Sequence, residues 1–254
     1  GHYANTLERM ENYKGKILLL NDSCFVTPSK GMNGLLDRGK GKENCVRTHY
    51  GLAISEDGKH LFGILDFQIL SNPIQKRHPE LGNESDIWIK VAENMVNIIN
   101  SSPQSKKLLS RCLFIADREG DEFELMSFLS RNNLGFIIRS QYNRNISFCD
   151  LEQKLFDILS QSKRHGAIYP IQTRKDKTIL EVDVQRSVLR NITIIPPIGF
   201  RKDLDPLCLN IVLVDEVQID KNPVSWKIWT TEDIPNSEAS KRIVDYYANR
   251  WKIE

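Results

Sequence analysis

Short apolar runs broken by polar turns dominate the first half of the chain. "KGKILLLNDSCF" predicts a buried strand, Lys16–Leu20, that delivers Asn21 and Asp22 to its carboxyl end. "RTHYGLAISEDGKHLFGILDFQIL" reads as two β-rich runs joined at "SEDGK", with Asp-Gly supplying the hairpin signal. In "ESDIWIKVAENMVNIIN" the apolar positions Ile87, Val91, Met95, Val96 and Ile99 recur at helical spacing and share one face. "RCLFIADREGDEFELMSFLS" then predicts a buried strand, a polar turn holding Asp117, and a helix. "LGFIIRSQYNR" is a further strand followed by basic residues, and "LEQKLFDILSQS" is helix-like.

Residues 166–230 change character, with β-branched runs such as "TILEVDVQRSVL" and "LCLNIVLVDEVQ" separated by Pro, Gly and charge. They predict an inserted, mostly antiparallel sheet. Asn236 or Ser237 caps the start of a last helix that runs to Glu254. Strand, hairpin, helix, strand, helix, strand, β insertion and helix, in that order, make a mixed α/β sheet. Acidic residues fall at the ends of two central strands, where such sheets usually carry their chemistry.

Composition narrows the field without choosing. The 254 residues are 40% hydrophobic and 27% charged, which is ordinary for a globular chain, and the net charge of +2 gives no global attraction for nucleic acid. Five cysteines at wide spacings, with no Cys-x-x-Cys, argue against a disulfide framework or a zinc site and for reduced thiols. The apolar runs are too short for a membrane-spanning helix.

Asp22, Asp117 and Glu254 are the carboxylates on which a site can be built. Converging carboxylates repel unless a cation neutralises them, and hard oxygen donors suit Mg²⁺ or Mn²⁺. Two such ions about 3.5–4 Å apart support phosphoryl transfer. The alternative reading is structural: Asp22 caps a turn, Asp117, Glu119 and Asp121 favour a helix start, and Glu254 is solvated. Tyr247, Arg250 and Glu254 fall in one helical stripe, where Arg can grip a phosphate; a solvated Arg–Glu pair beside a packed tyrosine is the alternative.

"ADREGDEFE" and "YANRWKIE" resemble the second-aspartate motif and the Tyr-x-x-Arg-x-x-x-Glu signature of bacterial DDE insertion-sequence transposases, in the IS-four branch that includes the Tn-five transposase. "LLLNDSCF" is similar to that family's first-aspartate strand, and the ordered set runs from about Lys16 to Glu254. The resemblance implies an RNase H-like mixed sheet with flanking helices and a β-rich insertion before the last helix. Residues 1–15 are then a lead-in, 16–150 the first part of the core, 151–232 the insertion and 233–254 the final core helix.

On the same resemblance, Asp22, Asp117 and Glu254 form the catalytic triad and hold two Mg²⁺ ions, for which Mn²⁺ substitutes. The activity implied is metal-dependent cleavage and transfer of DNA strands: release of a 3′-hydroxyl, hairpin formation and integration. Tyr247 and Arg250 contact phosphates near the cut, and Trp226 stacks on a flipped base, an interaction worth about 1–3 kcal/mol; packing in a β core is the alternative for that ring. Arg118, Arg139 and Arg144 are DNA contacts, with "RGKGKENCVR", "SKKLLSR", "SKRHG" and "TRKDKT" extending the basic surface.

The expected partners are double-stranded DNA, as transposon ends and target, and a second subunit in an intact synapse, with no membrane; the expected location is the bacterial cytoplasm, at the nucleoid. The family signature continues to a lysine beyond the Glu, and its end-recognition and pairing regions have no counterpart, so the chain is expected to be a transposase cut short at both ends. A catalytically silent DNA-binding remnant is the alternative. A small-molecule phosphatase fits less well, because "NDSCF" has no Asp-x-Asp pair and no Gly-rich phosphate loop occurs.

Overall fold

A computed structural model describes residues 1–26, 37–38, 44–70, 84–162, 166–175, 178–197, 204–218 and 223–253, with the backbone alone at 25–26, 37–38, 44–46, 70, 84–85, 174–175 and 252–253. The chain is an α/β protein with a mixed sheet and flanking helices. It divides into two compact units, the first holding Gly1–Phe114 and Asn132–Leu134, the second Ile115–Arg131 and Gly135–Trp251. Within the second unit, the last strand of the residues expected as an insertion, Ser225–Thr230, pairs with the earlier strand Gly135–Arg139.

The first unit contains α1 (His2–Asn12), β1 (Ile17–Val26), β2 (Asp37–Arg38), β3 (Asn44–Ser55), β4 (Leu61–Leu70), α2 (Glu84–Asn100), α3 (Ser105–Leu109) and the start of β5 (Cys112–Ala116). β3 lies between β1 and β4 in antiparallel register, and β2 pairs with its beginning. The hairpin turn takes Gly58 at φ +68°, a conformation that favours glycine. Ile17–Leu20 and all of β5 are buried, as continuous apolar runs require when both faces are covered.

α2 buries Ile87, Val91, Met95, Val96 and Ile99, the face its sequence spacing predicts. It approaches β3 closely at Gly51, where a Cβ would lie 2.8 Å from Met95 Sδ, so a larger residue would make that side chain shift. α1 is tied down by Arg111, whose Nη2 donates to Met10 O (3.1 Å), and by Arg9, whose Nη1 donates to Phe62 O (3.0 Å).

β1 is longer than its apolar run predicts. It continues past Leu20 to Val26, because β3 supplies a backbone partner at every step to Val46, so Asp22 sits mid-strand opposite Tyr50 and not at a carboxyl end. The polar stretch is paid for by side-chain hydrogen bonds. His49, fully buried, donates from Nε2 to Asn21 Oδ1 and accepts at Nδ1 from Ser23 Oγ (2.7 Å), while Trp88 packs edge-on at 4.6 Å.

Asn21 Oδ1 can only accept, so the proton sits on Nε2 and the neutral ring keeps Nδ1 for the serine. Burial, with help from Arg47, pushes the His49 pKa down from 6.5 to about 3. The unfolded chain therefore binds a proton that the folded one refuses between those values, and stability falls as pH drops below 6.5. His49 alone should remove about 1.4 kcal/mol between about pH 7.5 and 5.5. Urea unfolding at the two pH values checks this: His49→Gln should flatten the loss, and an identical loss in both proteins would refute it.

The second unit contains α4 (Phe123–Arg131), β6 (Gly135–Arg139), β7 (Asn145–Phe148), β8 (Leu151–Lys154), α5 (Leu155–Gln161), β9 (Tyr169–Lys175), β10 (Thr178–Ile194), β11 (Leu207–Glu216), β12 (Ser225–Thr230) and α6 (Ser237–Ala248). The strands run in the order β6-β12-β11-β10-β7-β8, with β9 on β10, and the pairs among β9 to β12 are antiparallel as the β-branched runs predict. β12 pairs with β6 through Ile228 opposite Arg139. β10 bends at a register shift between Leu189 and Ile192, where Asn191 has φ +57°.

Asn236 caps α6, its Oδ1 accepting from Ala239 N (2.9 Å). The helix ends at Ala248, and Asn249–Ile253 form a 3-10 turn, so the last expected helix is shorter than its periodicity implies. Among the described residues, no helix is long and apolar enough to cross a membrane.

Candidate functional site

The second unit gathers residues distant in sequence around Tyr247. Asp117 follows β5 and caps a 3-10 turn, Arg118–Gly120: its Oδ1 accepts from Glu119 N (2.7 Å). Asp117 is half-buried, and Arg118 beside it is exposed. Tyr247 is buried at 1% exposure, with the Trp226 ring against it edge-on at 5.0 Å and the Arg250 guanidinium 5.9 Å from its centroid.

Burial raises the Tyr247 pKa, the positive charges of Arg250 and Arg139 lower it, and Asp117 raises it again. The geometry at Tyr247 Oη falls short of a hydrogen bond, although Arg139 lies near enough to favour the phenolate. Arg139, on β6, donates from Nη2 to Ser225 O (3.2 Å), which fixes it next to Trp226 on β12. Arg250 is buried with its guanidinium 4.2 Å from the Trp251 ring. Asp117, Arg139, Trp226, Tyr247 and Arg250 thus form one neighbourhood.

Three features differ from the sequence expectations. The Trp226 ring is enclosed, at 3% exposure, and stacks on no open surface; a base could reach its face only after the side chain swung away from Tyr247. Arg144 is turned inward. Its Nη2 lies 2.7 Å from Asp121 Oδ1 and its Nε 3.2 Å, while Asp121 Oδ2 accepts from Gln141 N (2.6 Å) and Tyr142 N (3.0 Å). Burial pushes the Asp121 carboxyl up, and Arg144 and the two amides pull it back. Tyr247 and Arg250 also sit on different elements, α6 and the turn after it.

Asp22 belongs to the first unit, where it is buried at 5% exposure and its Oδ1 accepts from Ser23 N (2.8 Å). Glu254 lies outside the described residues, as do parts of the basic stretches "RGKGKENCVR", "SKRHG" and "TRKDKT". The carboxylate oxygens of Asp22 and Asp117 are donors of the kind Mg²⁺ takes. Among the described residues no three His, Cys, Asp or Glu side chains gather as a metal site.

Sequence reasoning passed over Asp121 as a helix-start charge, and over His49 and Ser23 altogether. The signal for Asp121 was present: an acid between a strand and a helix with Arg144 downstream can pair across a loop. No family model matches the chain.

Proposed function

We propose that the chain is the RNase H-like catalytic core of a cut-and-paste DDE transposase, cleaving and transferring DNA strands by metal-dependent phosphoryl transfer. The observation that supports this most is the neighbourhood around Tyr247, where Asp117 and two arginines from separate elements act on one buried phenol. A carboxylate beside convergent guanidinium groups suits a phosphodiester: the arginines offset the phosphate charge while the carboxylate is reserved for cations.

On this reading Asp22, Asp117 and Glu254 would hold two Mg²⁺ ions, or Mn²⁺ in their place. Such ions, when bound, activate water and stabilise the leaving oxygen. Asp117 keeps one oxygen in its backbone cap, which restrains the carboxylate. Arg139 and Arg250 hold the scissile strand's phosphate, and exposed Arg118 meets the backbone beside it. The 3′-hydroxyl so released would serve hairpin formation and integration, with paired transposon ends bound by a second subunit.

Nicking of supercoiled plasmid tests this reading. Conversion to open circle in Mg²⁺ or Mn²⁺, abolished by EDTA, is the expected result. Salt-sensitive DNA binding indifferent to metal, without nicking in either ion, would instead identify a binding remnant.

A further inference from the structure

The second unit also carries an open pocket of about 500 Å³ alongside β10, between the stretch paired with β9 and the stretch paired with β7. Its walls include Arg186, Ser187 and Arg190 of β10, Gly166, and Ser237 and Ser240 of α6. We propose that it is a binding site for a phosphate group, separate from the neighbourhood around Tyr247.

Arg186 carries the argument. The residue is 5% exposed, yet its guanidinium is held only by neutral oxygens: Nε donates to Ser240 Oγ (2.7 Å), and Nη2 to Ser237 O (2.8 Å) and Oγ (2.7 Å). It lies over the Tyr169 ring at 4.4 Å, and among the described residues no carboxylate pairs with it. Asp245 on the same helix is engaged by Lys241 (2.7 Å), and Glu238 in the first turn is exposed. A buried cation without a counter-charge is costly, and this one sits at the positive end of a helix dipole, which adds to the cost.

A second cation shares the wall. Arg190 donates from Nε to Ile234 O (2.7 Å), bringing a second guanidinium to the pocket. A phosphate supplies what the two guanidinium groups lack, negative charge and acceptor oxygens. Gly166 approaches the strand closely: its N donates to Arg186 O (3.1 Å), and a Cβ there would stand 2.6 Å from that oxygen. The volume exceeds that of phosphate alone, so the group belongs on a larger body, either a nucleic-acid backbone or a free phosphate ester.

Calorimetric titration in chloride buffer tests the site with three probes: inorganic phosphate, a nucleoside monophosphate and a thymidine dinucleotide with a single diester. Wild type should bind at least one probe at one equivalent. Arg186→Gln should weaken that binding at least about tenfold and Arg186→Lys should restore part of it, the charge-assisted contacts being the strong ones. Arg190→Gln, which keeps Arg186 and its hydrogen bonds, should weaken it too and decides the matter if Arg186→Gln does not fold.

Binding of the dinucleotide identifies a nucleic-acid backbone as the source, and binding of the other probes alone identifies a free phosphate. No binding of any probe to wild type, or binding unchanged by these substitutions, overturns the proposal. Neither Asp117 nor a metal enters this test, so its failure would leave strand cleavage standing, and loss of cleavage would leave this site standing.

Discussion

Asp121→Ala is expected to destabilise the second unit by about 3–5 kcal/mol, the usual cost of removing one partner of a buried ion pair. The pair has side-chain exposures of 8% for Arg144 and 0% for Asp121, so the surviving guanidinium would lose its buried carboxylate and keep only the partly exposed Glu122 as a nearby negative charge. Two backbone amides, Gln141 and Tyr142, would lose their acceptor at the same time. Such a loss lowers Tm by roughly 10 °C in a domain of this size.

Arg144→Ala should cost a similar amount, and the double substitution less than the sum of the two. A thermal-melt cycle checks this; a loss below 1 kcal/mol for Asp121→Ala, on the order of a surface pair, would contradict it. Arg144→Ala should therefore weaken DNA binding only through the fold. Arg118→Ala should weaken it with Tm unchanged, since Arg118 is exposed.

Asp117→Asn is expected to lower plasmid nicking by about three orders of magnitude or more, because on the proposed reading several kcal/mol of transition-state stabilisation would depend on ions that the carboxylate would help to hold. The same substitution should barely alter stability. Asp117 caps a 3-10 turn through Oδ1, and asparagine offers the same oxygen with nearly the same capping strength. Asparagine thus removes the charge and keeps the cap, while Asp117→Ala removes both and should lose about 1 kcal/mol in addition. Nicking retained in Asp117→Asn, with Tm unchanged, would show that the residue is only a cap.

Local chemistry made much of the fold legible. Asp57-Gly58 marked the hairpin, apolar spacing marked the buried face of α2, and Asn236 marked the start of α6. What the sequence hid was non-local. Asn21, Asp22 and Ser23 read as the end of a strand because they are polar, yet β3 extends the pairing and His49, 28 residues from Asn21, satisfies Asn21 and Ser23 inside the unit. Arg144 read as a DNA contact because it follows a strand in a basic run, whereas in the fold Asp121 claims it.

The candidate site divides in the same way. Asp117, Tyr247 and Arg250 stand out by residue type and spacing, whereas the packing of Trp226 on Tyr247 depends on β12 pairing with β6. Periodicity carried the last helix through Asn249, where the backbone tightens into a 3-10 turn.

The most direct test of the central claim is calorimetric titration of Mn²⁺ into the wild type, Asp22→Asn and Asp117→Asn. The account predicts saturable binding by the wild type and its loss in each variant, since both carboxylates would have to hold the same ions. Binding of equal strength in all three proteins, or none in the wild type, would contradict it.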